Sequence, residues 1–201
     1  MAGAAPTRPL GQAAQTKAAQ KPAAHPQAGT AKTKGDGAKS SNVAAAPPKV
    51  TQIGHEELKS LLGAGAGRAR PLLVNFWATW CAPCREEFPD LVKIRQQYGT
   101  DKLDFVLVSL DDPVDIDKAV PEFLTEAGAT AFPVYLLYTD DDNAAINLVD
   151  PTWNGELPAT FLYDRSGALA FKHRGRVKPD ELRAALDVAL KEKPQEAGAR
   201  K

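Results

Sequence analysis

The only two cysteines of this 201-residue chain, Cys81 and Cys84, are separated by two residues. A thiol pair at this spacing can bind a metal ion, form a structural crosslink or exchange disulfides. A structural zinc site needs four ligands, and the three histidines (His25, His55 and His173) are not at ligand spacing. A structural crosslink here would close a very small loop, where the chain-entropy stabilisation is smallest. The residues therefore favour a reactive pair.

The elements around the pair indicate how its chemistry would be set. Residues 72–77 are a nearly continuous apolar run, which is typical of a strand covered on both faces. The cysteine segment follows directly and opens a helix through about Tyr98, so Cys81 is expected at the helix N-terminus. Unpaired N–H groups and the helix dipole stabilise a thiolate there, and motifs of this type lower a cysteine pKa from about 8.5 to about 7 or below. Cys84, one turn deeper, would be shielded, and Pro83 would rigidify the turn between them.

Alternating helices and strands are predicted for the chain from residue 51 onwards. The predicted helices are 53–62, 81–98, 114–127, 143–149 and 179–191, and the predicted strands are 72–77, 103–110, 132–138, 159–163 and 168–173. The last two strands flank a D-R-S-G turn and are predicted to form a hairpin. This order predicts an α/β fold with a mixed central sheet and helices on both faces.

The first 50 residues differ in composition from the rest. They contain no aromatic residue and only three branched aliphatic residues, so we expect a disordered Ala/Pro/Lys-rich tail or tether. They hold seven of the 25 basic residues and one of the 25 acids, which leaves residues 51–201 with a net charge of −6. A solvated linker is favoured over weak contact with an anionic lipid or nucleic-acid surface. Residues 51–192 are the predicted domain, and 193–201 a polar C-terminal tail.

Hydropathy predicts neither a membrane span nor a secretory signal. No run of about 18 apolar residues occurs, and residues 2–20 have no apolar core of a signal peptide. Two expectations follow: the protein is cytoplasmic, or a signal or anchor that preceded Met1 has been removed. We expect membrane association only if such an anchor precedes residue 1.

Residues 76–84, F-W-A-T-W-C-A-P-C, resemble the active site of the thioredoxin superfamily, and the resemblance extends over about residues 51–192. Pro89 matches the proline that kinks the family's active-site helix. The segment L-P-A-T-F at 157–161 matches the one that carries the family's cis-proline, here Pro158. Gly167 and Gly175 fall in the closing hairpin as the family pattern requires. The resemblance implies a thioredoxin-like fold.

Asn75 distinguishes the chain from thioredoxin itself, which has a buried aspartate at this place. The pattern V-N-F-W-A-T-W-C-x-P-C-R-x-E-F-P is instead similar to the TlpA/ResA-like branch, whose members are extracytoplasmic and usually membrane-tethered. That branch has an insertion between the second strand and the cis-proline, which accounts for residues 111–156. Some relatives place a glutamate between the cysteines, where this chain has Ala82. The proton acceptor is therefore unassigned: Glu86, Glu87 and a water chain are alternatives.

The resemblance implies a thiol–disulfide oxidoreductase that needs no cofactor and no metal. Cys81 would attack, Cys84 would resolve and Pro158 would face the pair, with substrate contacts from Trp80, Ala82, Pro83, Glu156 and Leu157. Expected partners are protein thiols or disulfides and an upstream dithiol reductant, for which a membrane-bound protein is one option; nucleic acid is not an expected partner. The expected role is that of a reductant in the periplasm or another extracytoplasmic space, in cytochrome c maturation or envelope thiol reduction.

Two alternatives come from other functional classes. A thiol peroxidase on the same fold would need threonine or serine three residues before Cys81, where Ala78 stands. A non-catalytic peptide-binding module would leave the cysteine pair unused.

The remaining tryptophans and acid runs have structural interpretations. Trp77 is expected under the active-site loop, and Trp153 is expected in loop packing rather than in a substrate groove. The acids at 111–112 and 140–142 lack the spacing and the glycine of an EF-hand loop, so they are expected to be loop acids.

Overall fold

A six-stranded mixed sheet forms the centre of the part of the chain that the computed structural model describes, residues 47–63 and 67–191. The strand order is β1-β4-β3-β2-β5-β6, in which β1 to β4 pair in parallel and β5 and β6 are antiparallel. The strands are β1 Val50–Ile53, β2 Leu72–Trp77, β3 Asp104–Ser109, β4 Val134–Leu137, β5 Ala159–Tyr163 and β6 Leu169–Arg174. The helices are α1 His55–Leu62, α2 Ala82–Lys102, α3 Ala119–Glu126, α4 Asp142–Val149 and α5 Pro179–Lys191, with a 3-10 turn at Pro113–Asp115.

Strand β2 is buried along its whole length, because sheet neighbours cover both edges and helices cover both faces. Its side chains alternate between the two faces, as strand geometry requires. Leu73 and Trp77 enter an apolar cluster with residues of α2, α3 and α5, whereas Leu72, Val74 and Phe76 enter a second cluster with residues of α1 and α4. The predicted mixed sheet with helices on both faces is confirmed.

The start of the domain differs from the sequence-based prediction. The helix predicted from residue 53 begins at His55, and the four residues before Gly54 form β1, which pairs with β4 from Val50 opposite Val134 to Ile53 opposite Leu137. Only Ile53 of this strand is fully buried, so its four residues carry almost no strand pattern of their own. The pairing with β4 determines it.

The segment after β3 also differs from its prediction as one helix, 114–127. The Asp112 side chain accepts a hydrogen bond from the Val114 N–H at 3.0 Å and caps a 3-10 turn. The regular helix α3 begins only at Ala119. This segment, β4 and α4 lie within residues 111–156, which the resemblance predicts to be an insertion.

The predicted tails, 1–50 and 193–201, fall outside the described residues except for 47–50, of which Val50 begins β1. Among the described residues, no helix is both long enough and apolar enough to cross a bilayer.

Candidate active site

Cys81 and Cys84 form a disulfide at the N-terminus of α2, with 5.3 Å between their Cα atoms. Cys81 is the N-cap residue, and its sulfur accepts a hydrogen bond from the Cys84 N–H at 3.3 Å. Cys84 is wholly buried, whereas Cys81 retains 5% of its surface and Pro83 is exposed in the first helical turn. The sequence-based placement of an outer and an inner cysteine at a helix start is confirmed.

The Leu157–Pro158 peptide bond is cis, and Pro158 is buried at the start of β5. Phe76 of β2 lies opposite Ala159, so Pro158 lies beside the carboxyl end of β2, where the cysteine segment begins. The Pro158 carbonyl accepts a hydrogen bond from the Gly175 N–H at 2.7 Å, which ties it to the end of β6. The central strand and the hairpin thus bring the cis-proline and the cysteines to one edge of the sheet.

The five residues predicted to contact substrate are accessible. Trp80 is 69% exposed, and Ala82 and Pro83 are exposed beside it. Glu156 is exposed and Leu157 is half-buried on the segment that leads into the cis peptide. The first three residues adjoin the cysteines in sequence, and the other two directly precede the cis-proline.

The two candidate carboxylates after the cysteines have different surroundings. Glu86 is exposed and pairs with Arg176 at 3.3 Å. Glu87 is buried, and its carboxylate accepts hydrogen bonds from the Asn75 side-chain amide at 2.8 Å and from the Val177 N–H at 3.1 Å. Burial raises the pKa of Glu87 to about 7, although both hydrogen bonds act in the opposite direction.

Asn75 cannot itself act as a base, but its side-chain amide positions the Glu87 carboxylate by donating a hydrogen bond to it. Its side-chain amide also donates to the Thr160 hydroxyl on β5 at 3.1 Å, so it joins the central strand to the helix and to the hairpin. Spacing could have distinguished Glu87 from Glu86, because residues three apart on a helix share a face and Glu87 is three residues after the buried Cys84.

The acids at 111–112 divide in the structure. Both lie in the loop after β3, as predicted, but Asp112 is exposed whereas Asp111 is buried. Its carboxylate accepts hydrogen bonds from the Thr79 N–H at 3.0 Å and from the Thr79 hydroxyl at 2.6 Å. The loop after β3 turns back to the active-site segment, and this contact crosses 32 residues of sequence.

The acids at 140–142 are exposed, and Asp141 caps α4 by accepting from the Ala144 N–H at 2.9 Å. Within residues 47–63 and 67–191, no three His, Cys, Asp or Glu side chains cluster in a way that could hold a metal ion. His25 lies outside the described residues.

Both buried tryptophans pack as predicted. Trp77 lies under the active-site segment, with its ring centroid 4.9 Å from that of Phe88. Trp153 packs on Phe76 at 4.8 Å, and its indole N–H donates to the Glu156 carbonyl at 3.0 Å. Trp153 thus holds the segment that precedes the cis-proline through the bond to the Glu156 carbonyl.

Comparison with known proteins agrees with this geometry. Residues 45–172 match the family model described as the AhpC/TSA family. The chain belongs to the AhpC/TSA family. It is 32% identical over 121 residues to the thioredoxin-like protein YneN of Bacillus subtilis (strain 168). The aligned region covers 60% of this chain and 66% of that protein. It is 28% identical over 120 residues to the thiol-disulfide oxidoreductase ResA of Geobacillus kaustophilus, covering 60% and 63%. The chain thus spans slightly less than two thirds of these relatives' lengths.

The fold is shared with solved structures. The thioredoxin-related protein from Neisseria meningitidis serogroup B superposes with a TM-score of 0.52 at 24% identity, covering 66% of this chain and 91% of that one. The thioredoxin-like fold and the resemblance to ResA, both predicted from the sequence, are confirmed.

Proposed function

We propose that this protein is a thiol–disulfide oxidoreductase that exchanges disulfides with protein substrates through Cys81 and Cys84. The observation that carries the proposal is the Cys81–Cys84 disulfide at a helix N-terminus, with cis Pro158 at the same edge of the sheet. The similarity to proteins named as thiol-disulfide oxidoreductases supports it.

The reaction transfers two electrons from the dithiol form to a substrate disulfide. The Cys81 thiolate attacks one substrate sulfur, which forms a mixed disulfide and releases the other substrate sulfur as a thiolate. Cys84 then attacks the Cys81 sulfur, which restores the Cys81–Cys84 disulfide and releases the second thiolate. The enzyme loses two thiol protons and the substrate gains two, so Cys84 needs a proton acceptor before it can attack.

Glu87 fits the role of that acceptor. It lies one helical turn after Cys84, a spacing that brings side chains about 5–6 Å apart at Cβ. Its pKa of about 7 makes it roughly half ionised at neutral pH, where an acid–base group is most effective. Cys84 is fully buried, so a buried carboxylate on the same helix face replaces direct transfer to bulk water.

The substrate is a protein segment that approaches the edge formed by the cysteines and Pro158. Its backbone would lie along Glu156 and Leu157 as an added strand, in the manner of peptides that bind sheet edges. Exposed Trp80, with Ala82 and Pro83, would cover the other side of the target disulfide.

In our proposal the protein acts outside the cytoplasm, in the periplasm or a similar space, and is kept reduced by an upstream dithiol partner. Cytochrome c maturation or envelope thiol reduction is the role that the TlpA/ResA-like pattern favours. The reduction potential tests the direction: a value near or below about −250 mV supports a reductant, and one near −120 to −150 mV means a disulfide donor.

A pair of cysteine variants tests the exchange itself. Cys84→Ala should form a stable mixed disulfide with a model substrate, because the resolving thiol is absent, whereas Cys81→Ala should form none. Disulfide reduction by Cys81→Ala at the wild-type rate would contradict the proposal. Peroxide consumption by the wild-type dithiol form, well above that of Cys81→Ala, would favour the thiol peroxidase. A well-folded wild type without turnover in either assay would favour the peptide-binding module.

A further inference from the structure

The Asp111 carboxylate is buried beside the active-site turn and is held by neutral donors. Each of its oxygens accepts from the Thr79 N–H, at 3.0 and 3.1 Å, and one also accepts from the Thr79 hydroxyl at 2.6 Å. The other oxygen accepts from the Ser109 hydroxyl at 2.6 Å, and that hydroxyl in turn accepts from the Asp111 N–H at 3.0 Å. Desolvating a carboxylate is costly, so the four hydrogen bonds that the carboxylate accepts must offset that cost.

Thr79 occupies the turn that delivers Cys81 to the helix. The Cys81 N–H donates to the Ala78 carbonyl at 3.2 Å, which makes Thr79 and Trp80 the two central residues of a tight turn. In such a turn the N–H of the first central residue has no partner within the turn itself. Asp111 supplies one, and the Thr79 carbonyl accepts from the Arg85 side chain at 3.4 Å.

A carboxylate suits this place better than an amide. All the groups that face Asp111 from Thr79 and Ser109 are donors to its oxygens. An asparagine would direct its NH₂ group at some of these donors and would lose at least one hydrogen bond.

From this geometry we propose that Asp111 is a positioning residue for thiol–disulfide exchange. By holding Thr79 it fixes the turn that orients the Cys81 sulfur and presents Trp80 to the substrate. Disulfide exchange requires the attacking sulfur to be aligned with the bond that breaks, and small displacements of reacting groups are costly. The inference rests on the proposed exchange function, and it names a residue outside the cysteine motif and the cis-proline segment.

Three variants separate positioning from stability. Thr79→Val replaces the hydroxyl by a methyl group of similar size, and Thr79→Ser restores the hydroxyl. Ser109→Ala is the matched control, because it removes a hydroxyl hydrogen bond of the same 2.6 Å length from the same carboxylate without touching the turn. For each variant, kcat and KM for a model disulfide, the pH profile of Cys81 alkylation in the reduced protein, and Tm are measured.

Thr79→Val should lower kcat by about tenfold, near the lower limit of what one hydrogen bond to a charged group is worth. It should also shift the pH profile of Cys81 alkylation. Thr79→Ser should stay within about twofold of wild type. Ser109→Ala should lower Tm comparably to Thr79→Val, but it should lower kcat and shift the alkylation profile by less, because the bonds between Asp111 and Thr79 remain.

Two results would overturn the inference. One is a wild-type kcat and alkylation profile in Thr79→Val, and the other is an equal loss of kcat in Ser109→Ala. A wild-type protein that does not exchange disulfides would instead contradict the proposed function. The alkylation profile, which needs no turnover, would still report whether Thr79 orients Cys81.

Discussion

Glu87 and Asp150 are both nearly inaccessible to solvent, at 1% and 5% exposure, yet their pKa values shift in opposite directions. Burial dominates at Glu87, where the hydrogen-bond donors are the neutral Asn75 amide and the Val177 N–H. Burial also acts to raise the pKa of Asp150, but hydrogen bonds from Lys172 and Thr152 and the Lys172 charge outweigh it and lower that pKa.

The difference shows which buried acid can take up a proton near neutral pH. Asp150 pairs with Lys172 at 2.7 Å and with Arg174 at 3.7 Å, so it stays ionised and ties the segment after α4 to β6. That segment continues through Trp153 to the cis peptide. Within residues 47–63 and 67–191, Glu87 has no such close cation partner, and it lies on the helix of the cysteines, so it is suited to acid–base chemistry.

The largest expected effect is a fall in the free energy of unfolding with rising pH, caused by the raised pKa of Glu87. Its folded pKa of about 7 lies above the ordinary value of 4.5, so the folded state binds more protons between these values and the free energy of unfolding falls as pH rises. The loss is roughly 3 kcal/mol from below pH 4.5 to above pH 7, at 1.36 kcal/mol per pKa unit. Urea unfolding of wild type and Glu87→Gln across this range measures it. A constant difference between the two proteins would show that Glu87 titrates normally.

The rate of disulfide exchange should also distinguish Glu87 from an exposed acid on the same helix. Glu87→Gln cannot accept the Cys84 proton, so the turnover rate at pH 7 should fall by about 100-fold, the low end for loss of a general base. Glu86→Gln is the matched control on the adjacent, exposed position and should stay within about twofold. Single-turnover kinetics should place the loss in the resolution of the mixed disulfide. Equal rates in both variants would make a water chain the acceptor.

Sequence reasoning could find the cysteines, their helix start and the central strand because these signals are local. The six residues of β2 and the 13 residues of α5 were predicted to the residue. The strand β1 was missed because β4, some 80 residues later, determines its pairing. The hydrogen-bond partners of Glu87 and Asp111 were missed for the same reason: the bonds to Val177 and Thr79 span 90 and 32 residues. The residues next to an acid in the sequence do not indicate which distant segment will contact its side chain in the fold.

The ion pairs of Asp150 with Lys172 and Arg174 should contribute to the free energy of unfolding with the opposite pH dependence from Glu87. Because its folded pKa is lowered, its contribution is present above the ordinary value of 3.8 and is lost as pH falls through the folded pKa. Asp150→Asn should lower the free energy of unfolding at pH 7 by about 1–2 kcal/mol, since Lys172 is partly exposed and can be hydrated. Asp140→Asn, at an exposed loop acid, is the control and should change it by less than about 0.5 kcal/mol. A deficit in Asp150→Asn that persists undiminished at pH 3 would contradict the ionic role.

Arg176 gives the smallest and most direct test, because it is the cation whose charge acts on Glu87 from a distance. It is half-exposed and pairs with Glu86 at 3.3 Å and with Asp90 at 3.7 Å, and its field lowers the pKa of Glu87 against the effect of burial. Arg176→Gln should therefore raise the pKa of Glu87 further, while changing the free energy of unfolding by less than about 0.5 kcal/mol, as for other solvent-screened pairs. An NMR titration of the Glu87 carboxyl carbon measures the shift, and added salt should reduce the difference between the variant and wild type. A fall in that pKa on removing the cation would mean that the contacts of Arg176 with Glu86 and Asp90, rather than its charge, determine the environment of Glu87.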